Sequence, residues 1–367
     1  MTKKQNVLKF FLAAVCAFAV FFSLAEPERT AKATFAALSL CARKVVPGVF
    51  IFMVAARVLA LFGAPRAFSR LTGGAFERVF GVSPGGAAVV FLGLLAGCPS
   101  GAAVASELLG RGELEQGECA RILPLATAAS PAFLLSAVGS LMGVRFGAVM
   151  LASQVLSALI LLFLTRPRGR AGKPAPVSPA ESPRPLAAFT SALKKSGAAA
   201  LNICSFVTFF CVFSDMVLSL LPARAASGLF APLVSGVMEI SCGFSRLSAC
   251  TRSAARYFCG GLMLGFGGFS VLLQSADAAG EGGFCLRKYL LMKTAQALLC
   301  GSLAAGIGAL ADTAAAREAL FLFGAETEKV VAVWQTAALF ALVFAVLAVQ
   351  IKIFAKIFKK LWKKSNL

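Results

Sequence analysis

Apolar residues fall in long blocks separated by short polar stretches, and block length carries the first inference. Blocks at roughly 7–25, 44–63, 85–109, 120–142, 145–165, 198–221, 228–250, 256–278, 285–310 and 329–356 each approach the about 20 residues a helix needs to cross a bilayer. A helix leaves no backbone group unpaired in lipid, so the blocks predict an all-α polytopic membrane protein. Two blocks are interrupted near their middles. Gly93-Leu-Leu-Ala-Gly97-Cys98-Pro99-Ser100-Gly101 cuts 85–109, and Gly265-Phe-Gly267-Gly268-Phe-Ser270 cuts 256–278. Paired broken segments in two halves of a chain point to a transporter's binding site. The halves also repeat weakly. Each interruption is followed by a polar, glycine-containing turn (Gly110-Arg-Gly-Glu; Gly280-Glu-Gly-Gly) and then by a long apolar block.

Each arm beside Gly97–Gly101 has about 12 residues, or about 18 Å of helix, and half a hydrocarbon core is about 15 Å. Each arm can therefore reach the midplane and turn back. Pro99 lacks an amide hydrogen and the glycines admit unusual dihedrals. A turn here frees amides and carbonyls that must face protein, water or a ligand. The amides from Ser100 to Ala103 would carry partial positive charge and suit an anion. The hydroxyls of Ser100 and Ser270 and the amide of Gln274 could add hydrogen bonds. The rival reading is close helix packing, because Gly93, Gly97 and Gly101 are spaced four apart and Gly261 and Gly265 repeat the spacing.

Two polar features stand inside apolar blocks. Gly236-Val-Met-Glu239-Ile-Ser241-Cys-Gly243 holds a carboxylate, which costs roughly 2.5–3.5 kcal/mol at a helix centre on insertion scales. Glu239 is thus a candidate to bind a coupling cation (H+ or Na+) or relay a proton; a structural pair with Arg246 or Arg252 is the alternative. In Thr127-Ala-Ala-Ser130-Pro131 the proline frees the carbonyl near Thr127, which either lines a cavity or marks a plain kink. Asp215 and Lys293, also in apolar runs, are weaker candidates. The proposed substrate-binding set is Gly97, Cys98, Pro99, Ser100, Gly101, Thr127, Ser130, Glu239, Ser241, Gly265, Gly267, Gly268, Ser270 and Gln274.

Charge sharpens the picture. The chain has 36 Lys and Arg against 16 Asp and Glu. Cytoplasmic loops carry such an excess, which also attracts anionic solutes and lipid head groups. The basic residues sit beside apolar blocks with no base-stacking module among them, so nucleic acid is not an expected partner. Histidine is absent, which removes Ser–His and Cys–His pairs and histidine metal sites. The 11 cysteines include no C-x-x-C and lie mostly in apolar stretches, as at Cys204, Cys211, Cys259 and Cys300, so they read as small buried residues. No enzyme activity, cofactor or metal is expected.

The first block follows Lys3, Lys4 and Lys9 and ends at Ser23-Leu24-Ala25, which resembles a cleavage site; an uncleaved first helix is the expectation. Five regions follow: an N-terminal transmembrane helix and loop (1–42), a first repeat (43–165) with its hairpin near 85–109, a Pro/basic cytoplasmic linker (166–196), a second repeat (197–310) with its hairpin near 256–278, and an interfacial segment, last transmembrane helix and basic tail (311–367).

Five segments in order carry a resemblance: Ala96-Gly-Cys-Pro-Ser-Gly-Ala102, Gly112-Glu-Leu-Glu-Gln-Gly-Glu-Cys-Ala-Arg-Ile-Leu123, Ser130-Pro-Ala-Phe-Leu-Leu-Ser-Ala-Val-Gly139, Gly236 to Gly243, and Gly265 to Ser270. Over about 45–310 the chain resembles the sporulation integral membrane protein family (YlbJ-like), which carries the nucleoside-recognition Gate domain. The resemblance implies a fold similar to concentrative nucleoside transporters, with two re-entrant hairpins in inverted repeats. It implies location in the bacterial cell membrane, specifically the mother-cell-derived forespore membrane. It also implies export of a small organic anion, dipicolinic acid, during endospore formation. A nucleoside-type transporter and a non-transporting sporulation scaffold are the alternatives. Topology hinges on 228–250: if it spans, both hairpins enter from one side; if not, inversion holds.

Overall fold

The computed structural model describes residues 3–167, 184–222, 228–250 and 254–312. The expected last span at 329–356, the basic tail and most of the linker lie outside these residues. The described residues form helices joined by turns, with no strand. Five helices among them are long and apolar enough to cross a membrane.

Helix α1 (Lys3–Ala25) leads into α2 (Pro27–Leu61). A loop was expected before residue 43. Instead α2 runs through, with a wide π turn at Cys41–Val45 just before Pro47, where the proline cannot donate the usual helical bond. No element was expected at α3 (Ala64–Phe80). It lies at 90° to the next helix, and Phe68 stacks on Phe91 with ring centroids 4.1 Å apart.

The first hairpin follows. Ser83 caps α4 (Pro84–Ala96) by accepting from the Gly86 amide at 3.1 Å. The chain breaks at Gly97, whose φ of +78° favours glycine, and α5 (Ser100–Gly110) returns. The reversal is visible in the packing. A Cβ placed on Gly101 would lie 2.9 Å from the Gly93 Cα, whereas eight residues of straight helix would hold them about 12 Å apart. At the open end a Cβ on Gly85 would meet the Glu113 carbonyl at 2.9 Å.

Helices α6 (Gln116–Ala126) and α7 (Phe133–Met142) flank an unwound stretch at 127–130. They do not form a hairpin, because α8 (Val144–Leu164) runs antiparallel beside both. Gly147 packs on Leu134, Gln154 bonds Ala129, and Arg121 donates to the Leu162 carbonyl at 3.4 Å. The pair α6–α7 therefore crosses as one broken helix. After α9 (Pro185–Ser219) the plan repeats. Helices α10 (Phe230–Met238) and α11 (Ile240–Leu247) meet at Glu239. A Cβ on Gly243 would lie 2.5 Å from the Gly236 Cα, so this segment turns back.

The second reversal is thus at Glu239 and not at 256–278. Helices α12 (Ala254–Phe266) and α13 (Gly268–Gly283) break at Gly267, but α14 (Leu286–Asp312) runs antiparallel past the break. Gly308 packs on Tyr257, Gly265 on Ala297, and the Tyr289 hydroxyl reaches Ser275 at 3.2 Å. A glycine break interrupts hydrogen bonding without fixing direction, and packing along α14 carries this segment straight on. The segment 228–250 does not span. Among the described residues three crossings (α6–α7, α8 and α9) then separate the hairpins, which enter from opposite faces.

Two apolar clusters hold this frame. One joins the first hairpin to α6, α8 and α14 through Val89, Ile122, Leu161 and Met292; the other joins α7, α8, α11 and α12 through Leu134, Met150, Phe244 and Met263.

Candidate functional site

Each hairpin tip packs against the break of the broken helix that follows it. In the first repeat a Cβ on Gly97 would lie 2.9 Å from the Ser130 amide nitrogen, and the Cys98 amide donates to the Ala128 carbonyl at 3.0 Å. In the second, a Cβ on Gly268 would lie 3.1 Å from the Met238 carbonyl and 3.4 Å from the Glu239 Cα. Both tips, the first break and the start of α13 beside the second break surround one cavity of about 70 Å³, lined by Gly97 and Cys98, Ala128 to Ser130, Glu239 to Ser241, and Ser270, Val271 and Gln274. Val49 of α2 and Val207 of α9 close an apolar side.

Glu239 is 3% exposed and has an extended conformation, φ −153° and ψ 125°. It caps α11 by accepting from the Cys242 amide at 3.0 Å, and Ser241 donates to it at 3.3 Å. The helix N-terminus thus offsets a buried carboxylate. The alternative pairing with Arg246 is not formed. Arg246 instead binds Asp215 at 3.0 Å, as does Arg29 at 2.9 Å. Arg252 lies outside the described residues.

The first break is held differently. Gln154 both donates to the Ala129 carbonyl at 2.8 Å and accepts from the Ala129 amide at 3.0 Å. Lys293 donates to the Thr127 carbonyl at 3.1 Å. The Thr127 hydroxyl turns away from the cavity to Tyr289 at 2.9 Å, and Tyr289 donates to Ser275 at 3.2 Å. Ser275 lies 3.5 Å from the Cys98 sulfur. This chain of polar groups ties the first tip to the second repeat.

Seven of the sequence-derived candidates line the cavity: Gly97, Cys98, Ser130, Glu239, Ser241, Ser270 and Gln274. Within that set, Ser130 caps the following turn through the Phe133 amide at 3.2 Å and Ser270 accepts from Gln274 at 3.0 Å. The others stand outside the lining. Pro99 and Ser100 follow the first tip and begin the returning helix, and Cys98–Pro99 is a cis peptide. Gly101 packs on the Ala126 main chain, and Gly265 packs on Gln296 and Ala297. Thr127 faces Tyr289, and Gly267 and Gly268 form the second break with φ of +84° each. Gln154, Ser275 and Tyr289 were not foreseen. A lone amide inside the apolar run 144–164 was the available signal for Gln154.

No protein-family pattern matches this chain, and no curated protein does. Among solved structures it is similar to the concentrative nucleoside transporter CNTnw. A variant in its intermediate 1 state shows 12% identity over 82% of this chain and 84% of that one, with a TM-score of 0.50. A variant in its intermediate 3 state shows 10% identity over 84% and 87%, with a TM-score of 0.51. At this identity the likeness is one of fold: an all-helical membrane architecture of two inverted repeats, each with a hairpin and a broken helix.

Proposed function

We propose that this chain is a membrane transporter carrying a small, hydrogen-bonding solute through the cavity between the hairpin tips. The observation that carries the reading is convergence: three separate chain breaks and the first turn of α13, just past a fourth, line one cavity. Breaks in apolar sequence cost hydrogen bonds that lipid cannot return, and a solute site accounts for bringing them together. The cavity, at about 70 Å³, is smaller than the about 300–1,000 Å³ usual for organic ligands. Solute entry therefore requires the tips to part from the breaks.

The lining favours an uncharged, nucleoside-type solute over an organic anion. Its one carboxylate, Glu239, would repel an anion, whereas Ser130, Ser241, Ser270 and Gln274 suit hydroxyl and amide groups. Dipicolinic acid, the forespore membrane and the endospore role rest on the resemblance of the ordered motifs, and dipicolinate is the competing solute in the test. The full chain is reconstituted in liposomes and accumulation of labelled uridine and labelled dipicolinate is measured. Saturable uridine uptake with little dipicolinate uptake is expected. Saturable dipicolinate uptake alone reverses the choice of solute. No saturable flux of either, with a stoichiometric membrane partner on purification, supports the scaffold alternative and overturns transport.

A further inference from the structure

Lys293 is 1% exposed, and among the described residues it forms no salt bridge. A buried ammonium without a carboxylate is costly and needs a compensating environment. Its neighbours supply one. The nitrogen donates to the Thr127 carbonyl at 3.1 Å, just past the C-terminal end of α6. A Cβ on Gly267, at the C-terminal end of α12, would lie 3.7 Å from the same nitrogen. Gln296 accepts at 3.4 Å, and the Tyr289 ring centroid is 6.0 Å away. The unwound C-terminal end of α6 thus offers its freed carbonyl to one lysine, beside the Gly267 break of the other repeat.

In transporters built from broken helices, unwound carbonyls and half-helix C-termini coordinate the coupling cation. In this chain an ammonium tethered to α14 already holds that position. The other polar group at this break makes the contrast visible. In the first repeat, the residue reaching a break from the adjacent long helix is the neutral Gln154, which satisfies Ala129 with its amide. Lys293 reaches the same break from α14 of the second repeat, at the Thr127 carbonyl. We infer that Lys293 is the resident cation of the half-helix end at Thr127, standing where a dissolved cation would otherwise bind, so that this transporter does not draw on sodium.

The inference rests on the transport reading, and two separate readouts tell their failures apart. The first is the melting temperature of the purified full chain in NaCl against choline chloride at equal ionic strength and fixed pH. The wild type is expected to show no sodium-specific shift. Lys293→Ala removes the donor from the Thr127 carbonyl and the Gln296 oxygen, and its melting temperature is expected to rise by about 2 °C or more in sodium. Lys293→Gln serves as a second variant, and the wild-type arm decides the matter if neither variant folds. The second readout is uridine uptake into liposomes, expected to be sodium-independent for the wild type and sodium-dependent for Lys293→Ala. A sodium shift in the wild type, or folded variants that ignore sodium, overturns the inference. Absence of uptake in every protein, with the melting pattern as expected, overturns transport and leaves the cation assignment standing.

Discussion

The two repeats share a skeleton and differ in charge. Both place a hairpin tip on the break of the next helix, and both pass a glycine pair close to a following helix: Gly93 and Gly101 on Ala126, Gly236 and Gly243 on Met263. The first repeat fills its break with a neutral amide, Gln154. The second supplies both buried charges of the central region, Glu239 at the tip and Lys293 on α14. Backbone geometry needs only small residues and broken helices, so it can be duplicated. Charge is expensive in an apolar setting, and Glu239 and Lys293 each stand at a helix end that offsets it.

Four substitutions break or sharpen this contrast. Gly93→Ala should be the most damaging, because its methyl group would enter the main chain of Ala126. A destabilisation of about 3 kcal/mol or more is expected. Gly236→Ala meets the flexible Met263 side chain instead and should cost about 1 kcal/mol; equal losses in thermal melting would refute the packing difference. Gln154→Leu leaves the Ala129 amide and carbonyl without their partner, a loss of about 2 kcal/mol by the same measurement. Glu239→Gln keeps an oxygen for the Cys242 amide and removes the charge. Uridine uptake should fall about tenfold, or about 1.4 kcal/mol, with melting little changed. Unaltered uptake would take Glu239 out of the solute site.

How much of this was readable in the sequence depended on the residue at each break. Gly97-Cys98-Pro99 announces a reversal because glycine and proline both interrupt helical bonding. Gly265 to Ser270 announced a break too, but whether a broken helix turns back is set by its neighbour, and α14 keeps this one straight. The true second reversal carries no proline or glycine at its apex. Glu239 makes it with one extended residue that then caps the returning helix, which leaves 228–250 looking like an uninterrupted span. Helix α3 was hidden by its mixed composition. Lys293 stood out as a charge in an apolar run, but its partner Thr127 is 166 residues away, so its role required the fold.

The central claim is that the first tip touches the second repeat at a site through which solute passes. The direct measurement is uptake by Ser275→Cys, whose new thiol would face Cys98 where the native oxygen lies 3.5 Å from its sulfur. The account predicts that mild oxidation cross-links the pair and stops uridine uptake, that reduction restores it, and that the identically treated wild type is unaffected. Failure of the cross-link to form in folded protein, or uptake that continues once it has formed, would contradict the account.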